Sequence, residues 1–270
     1  MSRATNWEGD YGMANWTLVT GASEGLGVEF AHIAAKEKRN VILTARSKDK
    51  LEKVAEDVRA LGVEALVIPA DLSDMTEVDR LWAEATDGRS VDVLVNNAGL
   101  ASNGTFDDPE AWERETSSIN VNMLALTRLM KLAVPHLKGL DKGRILNVAS
   151  IAGFAPGPGM AVYCATKAYV LSLSEAVGDE LKGTNVTVTA LCPGTTATNF
   201  FEDANMTDAT LLKVAKPMDA KTVAELGWLE SRIGKPVVVP GAMNKVFSFL
   251  PRLVPRRLTT LINGKIMNDH

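Results

Sequence analysis

WTLVTGASEGLG, residues 16–27, joins a short apolar run to glycines at 21, 25 and 27 and then to a segment of helical period. Residues 16–20 read as a buried strand and 25–38 as the helix that follows it. Glycine allows the tight turn between them and lets backbone approach a ligand closely. The new helix aims its free N–H groups at whatever lies above, which suits a pyrophosphate. The spacing is GxxxGxG and departs from the GxGxxG fingerprint of many dinucleotide folds. Gly21, Ser23, Gly25, Leu26 and Gly27 are the expected phosphate loop.

Outward from this stretch the same alternation repeats. Further short runs at 40–45, 65–69, 91–95, 143–150, 185–192 and 236–240 are separated by helical segments at 48–61, 74–86, from 109 onward, and at 161–182. Strands alternating with helices imply βαβ units and a parallel sheet. The strands are apolar throughout, as expected when helices cover both faces. The fold class is therefore α/β, a doubly wound, Rossmann-like parallel sheet of about seven strands. With no repeat or linker before residue 193, residues 1–270 read as one domain with a core over 15–240. A chain of 270 residues buries roughly 75% of its extended surface and needs no staples. Residues 195–235 break the rhythm. An insertion after the sixth strand falls where open α/β sheets bind ligands, so 195–220 is a candidate substrate lid, an ordinary surface excursion being the alternative.

Composition narrows the classes. Hydrophobic content of 46%, charged content of 23% and a net charge of −4 fit a soluble globular chain and give no electrostatic reason to expect nucleic acid. Cys164 and Cys192 lack metal-ligand spacing and read as buried free thiols. His32, His136 and His270 are scattered, and no metal is expected. The N-terminus lacks a signal-peptide pattern, and no apolar run approaches the ~18 residues of a membrane span; a cytoplasmic location is the expectation.

The end of the second strand bears on cofactor choice. Enzymes that use NAD favour an acid there for the ribose hydroxyl. Here Thr44-Ala45-Arg46 follows, with no carboxylate before Asp49. Arg46 can grip a 2′-phosphate with a forked pair of hydrogen bonds, Ser23 can add a hydroxyl, and Glu24 is unhelpful. NADP(H) is favoured over NAD(H).

AVYCATKAY, residues 161–169, sets Tyr163 and Lys167 one turn apart on one helix face. Ser150 ends the fifth strand at the ligand-binding edge, and NNAG (96–99) closes the fourth. Asn122 lies in the long segment after it, with Asn120 as a competitor. In order, TGASEGLG, the Asp71-Leu72 pair, NNAG, Asn122, Ser150, YCATK and CPGTTAT (192–198) make the chain resemble the short-chain dehydrogenase/reductase family in its compact, single-domain branch, over about 15–240.

The resemblance implies a site. Tyr163 would be the proton donor for a carbonyl oxygen, within hydrogen-bond reach. An ordinary phenol titrates near ~10, and the neighbouring Lys167 ammonium is expected to lower that value. Lys167 would also hold the nicotinamide ribose. Ser150 would steady charge on the substrate oxygen, and Asn122 would hold a water that resupplies protons. Asp71 and Leu72 would flank the adenine, and Asn97, Ala98 and Gly99 the adenosine ribose. Pro193, Gly194, Thr195 and Thr198 would meet the nicotinamide and its carboxamide. The expected activity is NADPH-dependent carbonyl reduction by a homodimer or homotetramer. A non-catalytic dinucleotide sensor or scaffold on the same fold is the alternative, disfavoured by the complete set Asn122, Ser150, Tyr163 and Lys167.

Phe154, Met160 and the lid residues Phe200, Phe201, Met206, Leu211 and Leu212 would suit a hydrophobic ketone or a 3-oxoacyl chain, or simply pack the lid down. The tail, 243–270, is basic and apolar. It reads first as a helix packing on a neighbouring subunit, and second as a membrane-surface segment, since Pro251 and Pro255 interrupt it.

Overall fold

The computed structural model describes residues 15–197 and 217–267. Seven parallel strands form one sheet in the order β3-β2-β1-β4-β5-β6-β7. They are β1 (Asn15–Thr20), β2 (Asn40–Thr44), β3 (Ala65–Val67), β4 (Ser90–Asn96), β5 (Gly143–Val148), β6 (Val186–Leu191) and β7 (Val237–Val238). The helices are α1 (Gly25–Lys36), α2 (Lys48–Arg59), α3 (Met75–Thr86), α4 (Trp112–Ile119), α5 (Leu126–Lys138), α6 (Ala161–Glu180), α7 (Ala220–Arg232), α8 (Ala242–Phe249) and α9 (Arg256–Met267).

Side chains alternate across the pleat, and both sides are apolar here. Leu18, Leu94 and Ile145 pack with α3, α5 and α6 through Leu81, Leu129 and Val170. Their chain neighbours Val19, Val95 and Leu146 point the other way, onto Phe30, Leu51 and Trp228 of α1, α2 and α7. Two buried clusters, one per face, explain why the strands read as continuous apolar runs.

Strand order reverses direction between β1 and β4, which leaves a crevice above their carboxyl ends. Several strands are shorter than the sequence suggested: β5 ends at Val148 and not at 150, and β3 ends at Val67 and not at 69. The residues just past these ends, including Ala149, Ser150 and Ala70, leave the ladder and line the crevice instead. Between α4 and α5 the chain takes a π-helical turn, Asn120–Ala125. Such single turns interrupt the i→i−4 ladder and re-aim side chains.

Candidate active site

A cleft of about 580 Å³ runs along the carboxyl edge of the sheet. At one end lies the glycine loop. Gly21 has φ +63°, and a Cβ there would sit 2.8 Å from the Ala98 Cα. A Cβ on Gly27, beneath the loop, would sit 2.1 Å from the Gly21 carbonyl oxygen. Both positions therefore exclude any side chain. Thr20 welds the loop to NNAG: its Oγ1 accepts from the backbone N–H of Asn97 (2.9 Å) and of Ala98 (3.0 Å). In return the Asn97 amide donates to the carbonyls of Thr20 and Gly21. Helices α3 and α7 are capped by Asp74 and Asp219, whereas Glu24 makes no side-chain cap on α1. The first-turn N–H groups of α1 thus face the cleft, in a cradle whose shape and polarity fit a pyrophosphate.

Arg46 is exposed at this same end, with Ser23, Ser47 and Lys50 also on the cleft wall. Lys50 Nζ lies 3.2 Å from Glu24 Oε2. The acid that looked unhelpful in sequence is thus met by a lysine 26 positions away. The Asp71 carboxylate accepts from the Ser73 backbone N–H and hydroxyl at 2.9 and 2.8 Å. The Ser73 backbone bond holds that carboxyl below its usual range, with a smaller contribution from the Arg46 charge. Leu72 is buried beside it.

The other end holds the residues expected to carry the chemistry. Tyr163 and Lys167 sit in the first two turns of α6, both buried. Lys167 Nζ lies 5.8 Å from the Tyr163 ring centroid and donates to the Val148 carbonyl at 2.8 Å. Ser150 hydrogen-bonds Tyr163, while its Oγ accepts from the Ala152 N–H at 3.1 Å. The Ile151 N–H donates to the Pro193 carbonyl at 2.9 Å, tying the serine turn to the end of β6. A hydroxyl, a phenol and an ammonium are thereby gathered within one end of the cleft.

The electrostatics correct one expectation. Burial pushes the Tyr163 phenol up from its ordinary value, and the Ser150 hydrogen bond only partly opposes this. The net direction is therefore upward, against the lowering anticipated from Lys167. The same burial lowers the lysine to about 8, and its proton is directed at Val148. At neutral pH the phenol is thus protonated, ready to donate, and the lysine remains mostly charged. Cys164 and Cys192 are free and buried; burial pushes their thiols up to about 11 and about 12. They are neutral bystanders.

Asn122 is placed by the π turn and is 1% exposed. Its Oδ1 accepts from the Leu100 N–H at 2.8 Å. Its Nδ2 donates to the Leu100 carbonyl, to Thr166 and to Ser118. The side chain is committed to protein partners and ties the loop after β4 to α6. Asn120 reaches the Ser73 carbonyl instead. A Cβ on Gly99 would sit 3.2 Å from Lys167 Nζ and 3.3 Å from Asn122 Oδ1. NNAG therefore ends in glycine partly to admit these two groups.

Pro193, Gly194 and Thr195 line the cleft as expected. Thr198 and the lid residues Phe200, Phe201, Met206, Leu211 and Leu212 lie outside the described residues. A different roof is visible: Phe247, Leu250, Val254 and Ile262 of the tail face the cleft with Phe154 and Met160. The Asn263 amide donates to the Pro156 carbonyl at 2.9 Å and so pins α9 down. One face of the tail thus folds back over the chain's own cleft. Its amphipathic pattern was the available signal, but a pattern does not say what it covers.

A dinucleotide cradle leading to a buried Ser-Tyr-Lys group defines an oxidoreductase that moves a hydride between nicotinamide and a carbonyl or alcohol. Comparison with known proteins supplies the lineage. The family model for short chain dehydrogenase matches residues 15–209, and the chain belongs to that family. Among curated relatives, a ketoacyl reductase from a Nostoc species is 39% identical over 66% of this chain and 62% of its own length. A very-long-chain 3-oxoacyl-CoA reductase from Anas platyrhynchos is 31% identical over 94% of this chain and 82% of its own. Among solved structures, a short-chain dehydrogenase from Sphingobium yanoikuyae in complex with NADPH superposes with a TM-score of 0.78 at 30% identity, covering 87% of this chain and 90% of that one.

Proposed function

We propose that this protein reduces a hydrophobic ketone of the 3-oxoacyl type, with NADPH as the electron donor. The observation that carries the reading is the joining of Ser150, Tyr163 and Lys167 to an apolar wall in one cleft with the glycine cradle. A relative named as a ketoacyl reductase and one named as a very-long-chain 3-oxoacyl-CoA reductase support the substrate class, and the NADPH-bound neighbour supports the cofactor.

The cradle of Gly21, Ser23, Gly25 and Leu26 would hold the pyrophosphate, Arg46 a 2′-phosphate, and Lys167 the nicotinamide ribose. The cofactor, when bound, supplies a hydride to the carbonyl carbon. The Ser150 hydroxyl donates a hydrogen bond to the carbonyl oxygen as negative charge gathers there. Tyr163 passes its phenolic proton to the same oxygen, completing the alcohol. Lys167 stabilises the phenolate left behind, which burial alone would disfavour. Apolar walls exclude water and accept the chain of the substrate.

The test is a panel of aldehydes, cyclic ketones and 3-oxoacyl thioesters of increasing length, with NADPH consumption followed by absorbance. Longer 3-oxoacyl thioesters are expected to give the highest kcat/KM. Tight NADPH binding with no turnover on any member would instead favour a dinucleotide sensor. Cofactor choice has its own check. Arg46→Asp is expected to weaken NADPH binding by on the order of 10²-fold, because a charge-assisted fork is replaced by repulsion, while NADH binding holds or improves. Equal affinity of the parent for both cofactors would refute the assignment of Arg46.

A further inference from the structure

The roof has a second face. Among the described residues, nine of the fourteen exposed large hydrophobic side chains fall between Met243 and Ile262. Phe247, Leu250 and Ile262 line the cleft. Met243, Val246, Phe249, Leu253, Leu258 and Leu261 do not; they stand in solvent, with Leu253 70% and Leu261 65% exposed. Exposed apolar surface on this scale marks an interaction site.

Charge identifies the partner. The stretch 242–267 contains Lys245, Arg252, Arg256, Arg257 and Lys265 and no acid, a local +5 in a chain of net −4. All five are exposed, and none joins an ion pair among the described residues. A two-fold contact between copies through this face would set one cationic patch against another, an arrangement that costs several-fold in affinity or more. A surface that is anionic outside and apolar beneath satisfies both features at once. The prolines Pro251 and Pro255 break the stretch into two short helices, α8 and α9, that can each lie flat, and no helix among the described residues is long and apolar enough to cross a bilayer.

We propose that the outer face of α8, α9 and the turn between them docks on an anionic lipid surface. The apolar side chains sit among the acyl chains and the five cations among the headgroups. This interaction goes beyond the catalytic reading and stands or falls apart from it. If both hold, the cleft roof rests on the lipid and an apolar substrate can enter without crossing water.

The experiment is sedimentation of the full chain with phosphatidylcholine vesicles, with and without roughly one third phosphatidylserine. Binding is expected to the anionic vesicles at low salt, at least ten-fold weaker to the neutral ones, and lost near ~0.5 M salt. Leu253→Ser with Leu261→Ser, and separately Arg256→Glu with Arg257→Glu, should each reduce binding ten-fold or more while leaving NADPH-dependent turnover of a water-soluble ketone unchanged. Failure of the parent to bind anionic vesicles would overturn the proposal, whether or not the variants fold. So would binding that both variants retain. A concentration-dependent dimer abolished by the leucine pair would show the face to be a subunit contact instead.

Discussion

Tyr163→Phe should lower turnover by on the order of 10²–10⁴-fold, the range a positioned general acid contributes, while NADPH binds almost as before. The phenol is buried against Ser150, away from the glycine cradle. Loss of one oxygen therefore removes the proton without disturbing the phosphate end, and phenylalanine fills the same apolar space, so the melting temperature should change little. Single-turnover kinetics paired with a binding titration would separate the two effects. A variant with near-parental rates would dethrone Tyr163 as the acid. The pH profile of the parent adds a second check. Because burial pushes the phenol upward, its ionisation does not limit reduction at neutral pH; a fall in rate beginning near pH 8 would instead follow the loss of charge on Lys167.

Replacing that lysine has two opposite consequences. Lys167→Met should reduce turnover by on the order of 10²-fold or more, since the phenolate loses its counter-charge. It should also change how stability depends on pH. The folded-state value of about 8 lies below the ordinary 10.5. As pH rises, the folded chain releases this proton first, so between about 8 and 10.5 the unfolded state binds more protons and stability climbs. Below pH 8 the whole cost of burying the charge is present, of order ~3 kcal/mol. The variant lacks that cost but leaves the Val148 carbonyl without its donor, a loss of about 1–3 kcal/mol. The informative quantity is thus the difference in melting temperature between variant and parent. It should shift towards the parent from pH 7 to pH 10; a difference independent of pH would contradict the buried-ammonium account.

How far the sequence reaches depends on the range of the interaction in question. Alternation of apolar runs with helical segments announced a parallel sheet, because burial on both faces leaves its mark on every strand. Gly21 and Gly27 were legible for a similar reason: backbone contact allows only one residue type. Tyr163 and Lys167 were legible through spacing along one helix. Spacing shows which groups are neighbours but not how deeply they are buried, so the direction of the Tyr163 shift was misjudged. The Lys50–Glu24 pair and the commitment of Asn122 to Leu100 and Thr166 depend on elements far apart in the chain, which no local pattern encodes. The roof formed by Leu250 and Ile262 was missed because an amphipathic segment records that one side is covered, not by what.

The bonds that run from Thr20 to Asn97 and Ala98, and from Asn97 back to Gly21, have a practical corollary for protein engineers. The two segments behave as one cassette, held by hydrogen bonds that are each only as good as the geometry of the others. Grafting a foreign nucleotide-binding turn between residues 20 and 27 would succeed only if the segment 96–99 travelled with it from the same donor.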